Sequence, residues 1–163
     1  MMASATVLSL LEAIGGAGLS VWVGGGWGID ALLGEQTRPH RDLDLMHRSE
    51  EEDRLTALLG SLGYAETLDR RPVRFVVTGT GGRDVDLHPL RFGEDGAAEQ
   101  SSFDPEPFRY PADAFTTGTI GTVAVRCLSA AQQVHFHQGY EPTERDRADM
   151  ACLREAFGVE THF

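Results

Sequence analysis

Residues Val21 to Leu45 read VWVGGGWGIDALLGEQTRPHRDLDL, and the fold follows from this stretch. The apolar, β-branched run Leu19 to Val23 predicts a strand. Gly24-Gly25-Gly26 interrupt it, and Trp27 to Leu33 predict a short helix stopped by Gly34. Glycines between a strand and a helix let the backbone approach a phosphate and leave free N–H groups pointing at it. Asp42 to Met46 then alternates acid and aliphatic, a strand pattern. With a side-chain period of two, Asp42 and Asp44 share one face while Leu43 and Leu45 turn to the core. Neighbouring like charges repel. A divalent cation between them removes that penalty, and an all-oxygen ligand set suits Mg²⁺.

Working outward, Val7 to Ile14 predicts an amphipathic helix ended by Gly15-Gly16. Ser49 to Leu62 predicts a second, with Ser49 as cap, Glu52 three residues on, and Leu55, Leu58, Leu59 and Leu62 on one face. Arg74 to Thr78 and Arg83 to Leu90 flank a glycine-rich turn and predict a β-hairpin. Asp84, Asp86 and His88 share one face of its second strand, with Val85 and Leu87 opposite. If that strand lies beside the Asp42 strand, a third carboxylate joins the first two. Three carboxylates can hold two metal ions for in-line phosphoryl or nucleotidyl transfer.

Residues 91–113 are acidic, carry Pro105, Pro107 and Pro111, and predict a long surface loop. Phe115 to Leu128 predicts a second hairpin turning near Gly118 or Gly121. Ser129 to Gly139 and Thr143 to Phe157 predict two helices, each capped at its start, with Thr143 and Asp146 as a capping box. The expected fold class is α+β: a small mixed β-sheet flanked by helices, with a helical C-terminal tail. A chain of 163 residues, 41% hydrophobic, fits a single domain spanning 1–163. Within it, 1–113 is the expected catalytic core, and 114–163 the expected acceptor-binding part.

Fourteen basic against 25 acidic side chains leave a net charge of −11, which disfavours nucleic acid as a partner and suits metal ions and cationic small molecules. No apolar run is long enough to predict a membrane span, and the N-terminus lacks the basic segment of a signal peptide, so the cytoplasm is the expected compartment. Cys127 and Cys152 stand apart without metal-ligand spacing and read as buried free thiols.

The block Gly24-Gly25-Gly26-Trp27-Gly28-Ile29-Asp30, followed by Thr37-Arg38-Pro39-His40-Arg41-Asp42-Leu43-Asp44, resembles the DNA polymerase β-like nucleotidyltransferase superfamily. Within it, the block is similar to the small lincosamide and aminoglycoside 2″-O-nucleotidyltransferases. Val85-Asp86-Leu87-His88-Pro89 resembles their third-carboxylate strand, which favours Asp86 over Asp84, and residues 125–157 resemble their tail. The superfamily often carries Gly-Ser in the turn; Gly26-Trp27 stand here, so no serine hydroxyl is available to a phosphate.

The resemblance implies a polymerase β-like nucleotidyltransferase fold and the transfer of AMP, or another NMP, from ATP or another NTP to a small-molecule hydroxyl. It implies Asp42, Asp44 and Asp86 as catalytic carboxylates and Mg²⁺ ligands, with Asp86 either completing the metal site or acting as general base. Gly25 and Gly26 would cradle the triphosphate, and Arg38 and His40 would serve the nucleotide site. The acceptor implied is a hydroxylated, cationic or neutral small molecule such as an aminoglycoside or lincosamide; a protein side chain, or nucleotide binding without catalysis, are the alternatives. A homodimer building the acceptor pocket across its interface is compatible with the size. Asp30 reads as a brace for the short helix, and Asp84 as a neighbour on the strand face. His88 reads as a pocket or sheet histidine. Tyr140, Glu141, Asp146 and Asp149 read as a solvated helix start or an acidic acceptor pocket.

Overall fold

The computed structural model describes all 163 residues, in nine strands and five helices. In chain order they are α1 (Ser4–Gly16), β1 (Val21–Gly24), α2 (Gly25–Leu33), β2 (Asp42–Arg48), α3 (Glu52–Ser61), β3 (Ala65–Arg70), β4 (Arg74–Gly79), β5 (Arg83–Phe92), β6 (Ala98–Gln100), β7 (Phe108–Tyr110), β8 (Phe115–Ile120), β9 (Val123–Leu128), α4 (Ala130–Phe136) and α5 (Glu144–Phe157). The sheet runs β3-β4-β5-β2-β1-β9-β8, with β6 and β7 continuing from the far end of β5. It is mixed: β2 with β5 and β1 with β9 are parallel, and the other pairs are antiparallel. The α+β expectation holds, with a larger sheet than the sequence suggests. No helix is long and apolar enough to cross a membrane.

The main core lies on the face opposite the carboxylates. Leu43, Leu45, Val85 and Leu87 are fully buried there against Val7, Leu10 and Ile14 of α1 and Leu55 and Leu59 of α3. Each such side chain contributes about 1.5–3 kcal/mol of burial, which holds the register of β2 against slippage. On the carboxylate face, Trp22, Met46, Leu90, Tyr110, Ala114 and Leu128 form a second cluster at the other end of the strands. A third, Ile29 with Val134, Met150 and Leu153, fastens α4 and α5 to α2.

Several local expectations need correcting. Ser49 caps nothing: residues Ser49–Glu51 form a 3₁₀ turn without a side-chain cap, and α3 begins at Glu52. Glu52 instead meets Arg71, at 3.0 Å. Residues 91–113 are not merely a loop, because β6 and β7 lie within them and bury Ala98, Gln100 and Tyr110. The edge strand β3 was not anticipated; its AETLDR sequence is mostly exposed and carries no clear alternation. Residues 114–163 share the sheet with the first part through the β1–β9 pair. Cys127 is buried and Cys152 only half-buried, and both are free thiols. The Thr143–Asp146 capping box and the Gly121 turn appear as expected.

Candidate active site

The parallel β2–β5 pair aligns Asp42 with Asp84, Asp44 with Asp86, and Met46 with His88. Directly opposed residues share a face, so four carboxylates and one imidazole project from adjacent strands. One ligating atom from each of Asp44, Asp86 and His88 lies within 4.8 Å of the others. Asp86 Oδ2 accepts from Arg74 Nη1 at 2.6 Å, while its Oδ1 is buried with no hydrogen-bond partner. A buried carboxylate oxygen left unpaired is costly, and a divalent cation satisfies it. Asp84 is used differently: Thr78 Oγ1 donates to it at 2.7 Å.

The electrostatics agree. Asp42, at the rim, has its carboxyl held above the usual range, first by partial loss of water and then by the charge of Asp44; Arg145 of α5 opposes this weakly. Asp86 is likewise raised, chiefly by burial, against the pull of His88 and Arg74. Concentrated carboxylates with raised pKa values and an orphaned oxygen match the donor chemistry of a Mg²⁺ site.

The glycine turn meets this cluster directly. The chain leaves β1 at Gly24, opposite Asp44, and α2 starts at once with Gly25, so the glycines form the helix cap and first turn instead of a separate loop. Gly25 has φ of 55°, and a Cβ there would collide with the Asp44 carboxylate. A Cβ on Gly26 would run into His40 Nδ1 and lie 2.8 Å from Arg38 Nη2. Glycine is therefore required for close packing against the site's own side chains as well as for backbone access. The N-terminus of α2 has no side-chain cap, which leaves its first N–H groups open to an anion.

Arg38 lies beside Gly26, but its Nε and Nη2 donate to Asp149 of α5 at 3.0 and 2.7 Å. His40 is buried at 3% exposure, pairs through Nε2 with Asp30, and packs its ring 4.8 Å from that of Trp27. Asp30 also accepts from the Thr37 backbone and hydroxyl, which ties the 34–40 loop to α2. From α4, Gln133 Nε2 donates to Gly25 O at 3.4 Å. Tyr140 precedes α5 and Asp146 lies in its first turn; the Tyr140 hydroxyl is pushed up to about 12 by burial and the nearby acids.

Sequence reasoning placed Asp42, Asp44, Asp86, Gly25, Gly26 and Arg38 in one neighbourhood, and the structure brings them together. It missed Arg74, Gln100, Tyr110 and the Asp149 contact to Arg38. Arg74 opens a strand already read from the sequence, and its in-phase spacing with Val76 and Thr78 was a usable signal. Nothing in the 91–113 composition marked Gln100 or Tyr110.

Comparison with known proteins bears on this geometry. A family model described as aminoglycoside-2″-adenylyltransferase matches residues 6–153. A lincosamide resistance protein of Staphylococcus haemolyticus is 29% identical over 136 residues, covering 83% of this chain and 84% of that protein. A 2″-aminoglycoside nucleotidyltransferase of Klebsiella pneumoniae is 44% identical over 62 residues, 37% of this chain and 35% of that one. The lincomycin-bound crystal structure of the lincosamide antibiotic adenylyltransferase LnuA superposes with a TM-score of 0.83 at 27% identity, covering 91% of this chain and 94% of that chain. The structure of ANT(2″)-Ia in complex with adenylyl-2″-tobramycin shares the fold, with a TM-score of 0.76 at 22% identity, covering 95% and 89%. The chain belongs to the aminoglycoside-2″-adenylyltransferase family and is a nucleotidyltransferase of the small, antibiotic-modifying kind.

Proposed function

We propose that this protein transfers an adenylyl group from ATP, with Mg²⁺, to a hydroxyl of a lincosamide or aminoglycoside antibiotic and releases pyrophosphate. The observation that carries the reading is the buried, unpartnered Asp86 Oδ1 facing Asp44 across the parallel β2–β5 register. Asp42, Asp44 and Asp86 would hold the metal. Bound there, Mg²⁺ would supply charge neutralisation for the triphosphate and would lower the pKa of the acceptor hydroxyl.

The remaining work falls to the protein's own groups. The open N–H groups at Gly25 and Gly26 orient the triphosphate at the head of α2. Arg38, held by Asp149 through Nε and Nη2 and by the Pro39 carbonyl through Nη1 at 3.4 Å, brings its positive charge beside Gly26 to a phosphate oxygen as charge develops on the leaving group. His40 acts from beneath, holding Gly26 and the 34–40 loop in place through Asp30. Asp86, raised by burial, is suited to take the acceptor proton. Residues 1–113 supply this catalytic core, while α4 and α5 face the acceptor and steady the glycine turn. The similarity to a lincosamide resistance protein runs along most of both chains, so lincosamides are the first acceptors to try.

The test is mass spectrometry of lincosamides, aminoglycosides and simple sugars incubated with ATP, Mg²⁺ and the protein, beside Asp42→Ala. A product heavier by one AMP, absent with the variant, establishes reaction and acceptor class together. No product from any acceptor, with no Mg²⁺-dependent ATP binding, defeats the proposal.

A further inference from the structure

His88 is the third member of the potential metal cluster, and its geometry alone would allow ligation. The hydrogen bonds behind it argue otherwise. Gln100, on β6, is 4% exposed. Its Nε2 lies 2.9 Å from the carbonyl oxygen of Val73, which can only accept, so that atom is the amide nitrogen. With the amide so oriented, the Tyr110 hydroxyl donates to Gln100 Oε1 at 2.6 Å. The second hydrogen of Gln100 Nε2 is then directed to His88 Nδ1, 3.2 Å away. His88 Nδ1 must therefore offer its lone pair, and the ring hydrogen sits on Nε2. That nitrogen is 3.2 Å from Asp44 Oδ1 and 3.7 Å from Asp86 Oδ1.

We propose that Gln100 locks the tautomer of His88, so that His88 orients the Asp44 carboxylate as a hydrogen-bond donor, beside Asp86, and is not itself a metal ligand. Ligation through Nε2 would need its lone pair, which requires hydrogen on Nδ1. Two N–H groups would then face each other inside a buried network from which Tyr110, at 1% exposure, helps to exclude water. Tyr110, Gln100 and His88 thus form a chain of positioning residues running from β7 through β6 and β5 to the carboxylates. The inference rests on Asp44 and Asp86 being metal ligands only for its consequence, since the tautomer itself is a property of the metal-free protein.

Long-range ¹H–¹⁵N spectra of the imidazole rings test it, recorded at about pH 8, above the ordinary histidine range. The His88 signals are assigned by their loss in His88→Gln. Expected are an unprotonated, pyridine-type Nδ1 and a protonated, pyrrole-type Nε2 in the metal-free protein. The pattern should persist when Mg²⁺ is added to saturation, as judged by the backbone amides of Asp44 and Asp86. Gln100→Leu should turn the single tautomer into a mixture and lower turnover about 10- to 100-fold. Hydrogen on Nδ1 in the wild-type protein overturns the proposal, as does a switch of Nε2 to the pyridine type on adding Mg²⁺. An unchanged, single tautomer in Gln100→Leu also overturns it. Should that variant not fold, the wild-type spectra still decide. Should Mg²⁺ leave the Asp44 and Asp86 amides unmoved, the metal reading fails while the tautomer result stands apart from it.

Discussion

Arg38 and Asp149 are 111 residues apart in the chain, yet the guanidinium donates to both carboxylate oxygens, at 3.0 and 2.7 Å. The pair ties the loop that precedes β2 to the C-terminal helix, and it sets where the Arg38 charge stands beside Gly26. The two partners are unequally buried, with Arg38 at 25% side-chain exposure and Asp149 at 7%.

That asymmetry predicts unequal costs. Arg38→Ala strands a buried carboxylate and should cost about 3 kcal/mol in urea denaturation. Asp149→Ala leaves an arginine that can turn to water and should cost less, about 1–2 kcal/mol. In kinetics, Asp149→Ala should raise the KM for ATP more than it lowers kcat, because Arg38 keeps its charge and loses its placement. Equal stability losses would show that the burial difference does not govern the pair.

Gly25 and Gly16 make an internal contrast. Alanine at Gly25 meets both a positive φ of 55° and the Asp44 carboxylate, so Gly25→Ala should cost about 1–3 kcal/mol and abolish detectable transfer. Gly16 ends α1 with open space around its Cβ position. Gly16→Ala should leave transfer unchanged and stabilise by about 0.5 kcal/mol. Thermal melts and the AMP-transfer assay read both.

The raised carboxyls give a pH signature. For Asp42 the folded value lies above the unfolded one, so within that window the native state binds more protons. Its contribution to stability is therefore full below the unfolded pKa and is lost as pH rises through the folded one. Asp42→Asn, which cannot ionise, should have a higher Tm than the wild type at neutral pH without metal. The gap should close as the pH falls through the acid range, and should shrink or reverse in Mg²⁺. A Tm difference independent of both pH and Mg²⁺ would contradict the raised Asp42 carboxyl, which loss of water and then the Asp44 charge produce.

Thr143 tests how far the C-terminal helix supports the site. Its hydroxyl accepts from the Asp146 backbone N–H, and the Thr143 N–H donates in turn to the Asp146 carboxylate. Thr143→Ala should cost about 1 kcal/mol and loosen the first turn of α5. Hydrogen exchange at Arg147 and Ala148 should quicken, with a modest rise in the KM for ATP transmitted through Asp149.

Much of this was readable from residue order because the signals are local. Alternation over Asp42–Met46 and Arg83–Leu90 fixes which side chains share a face, since period-two geometry is a property of each strand alone. The glycine run announces a turn, and Thr143 with Asp146 announces a helix start, for equally local reasons. By contrast, β6 and β7 are three residues long and have no room to display a period; pairing with the end of β5 and the burial of Tyr110 create them. The edge strand β3 exists because β4 offers it a partner.

The sequence by itself thus determined the α+β class, the carboxylate pairs and the glycine turn, because each depends on neighbours a few bonds away. Only the tertiary structure decided that Asp44 stands opposite Asp86, that Arg38 is held by Asp149, and that Gln100 reaches His88. Those relationships depend on strand register and helix docking, and these are set by burial summed over the whole core rather than by any local run of residues.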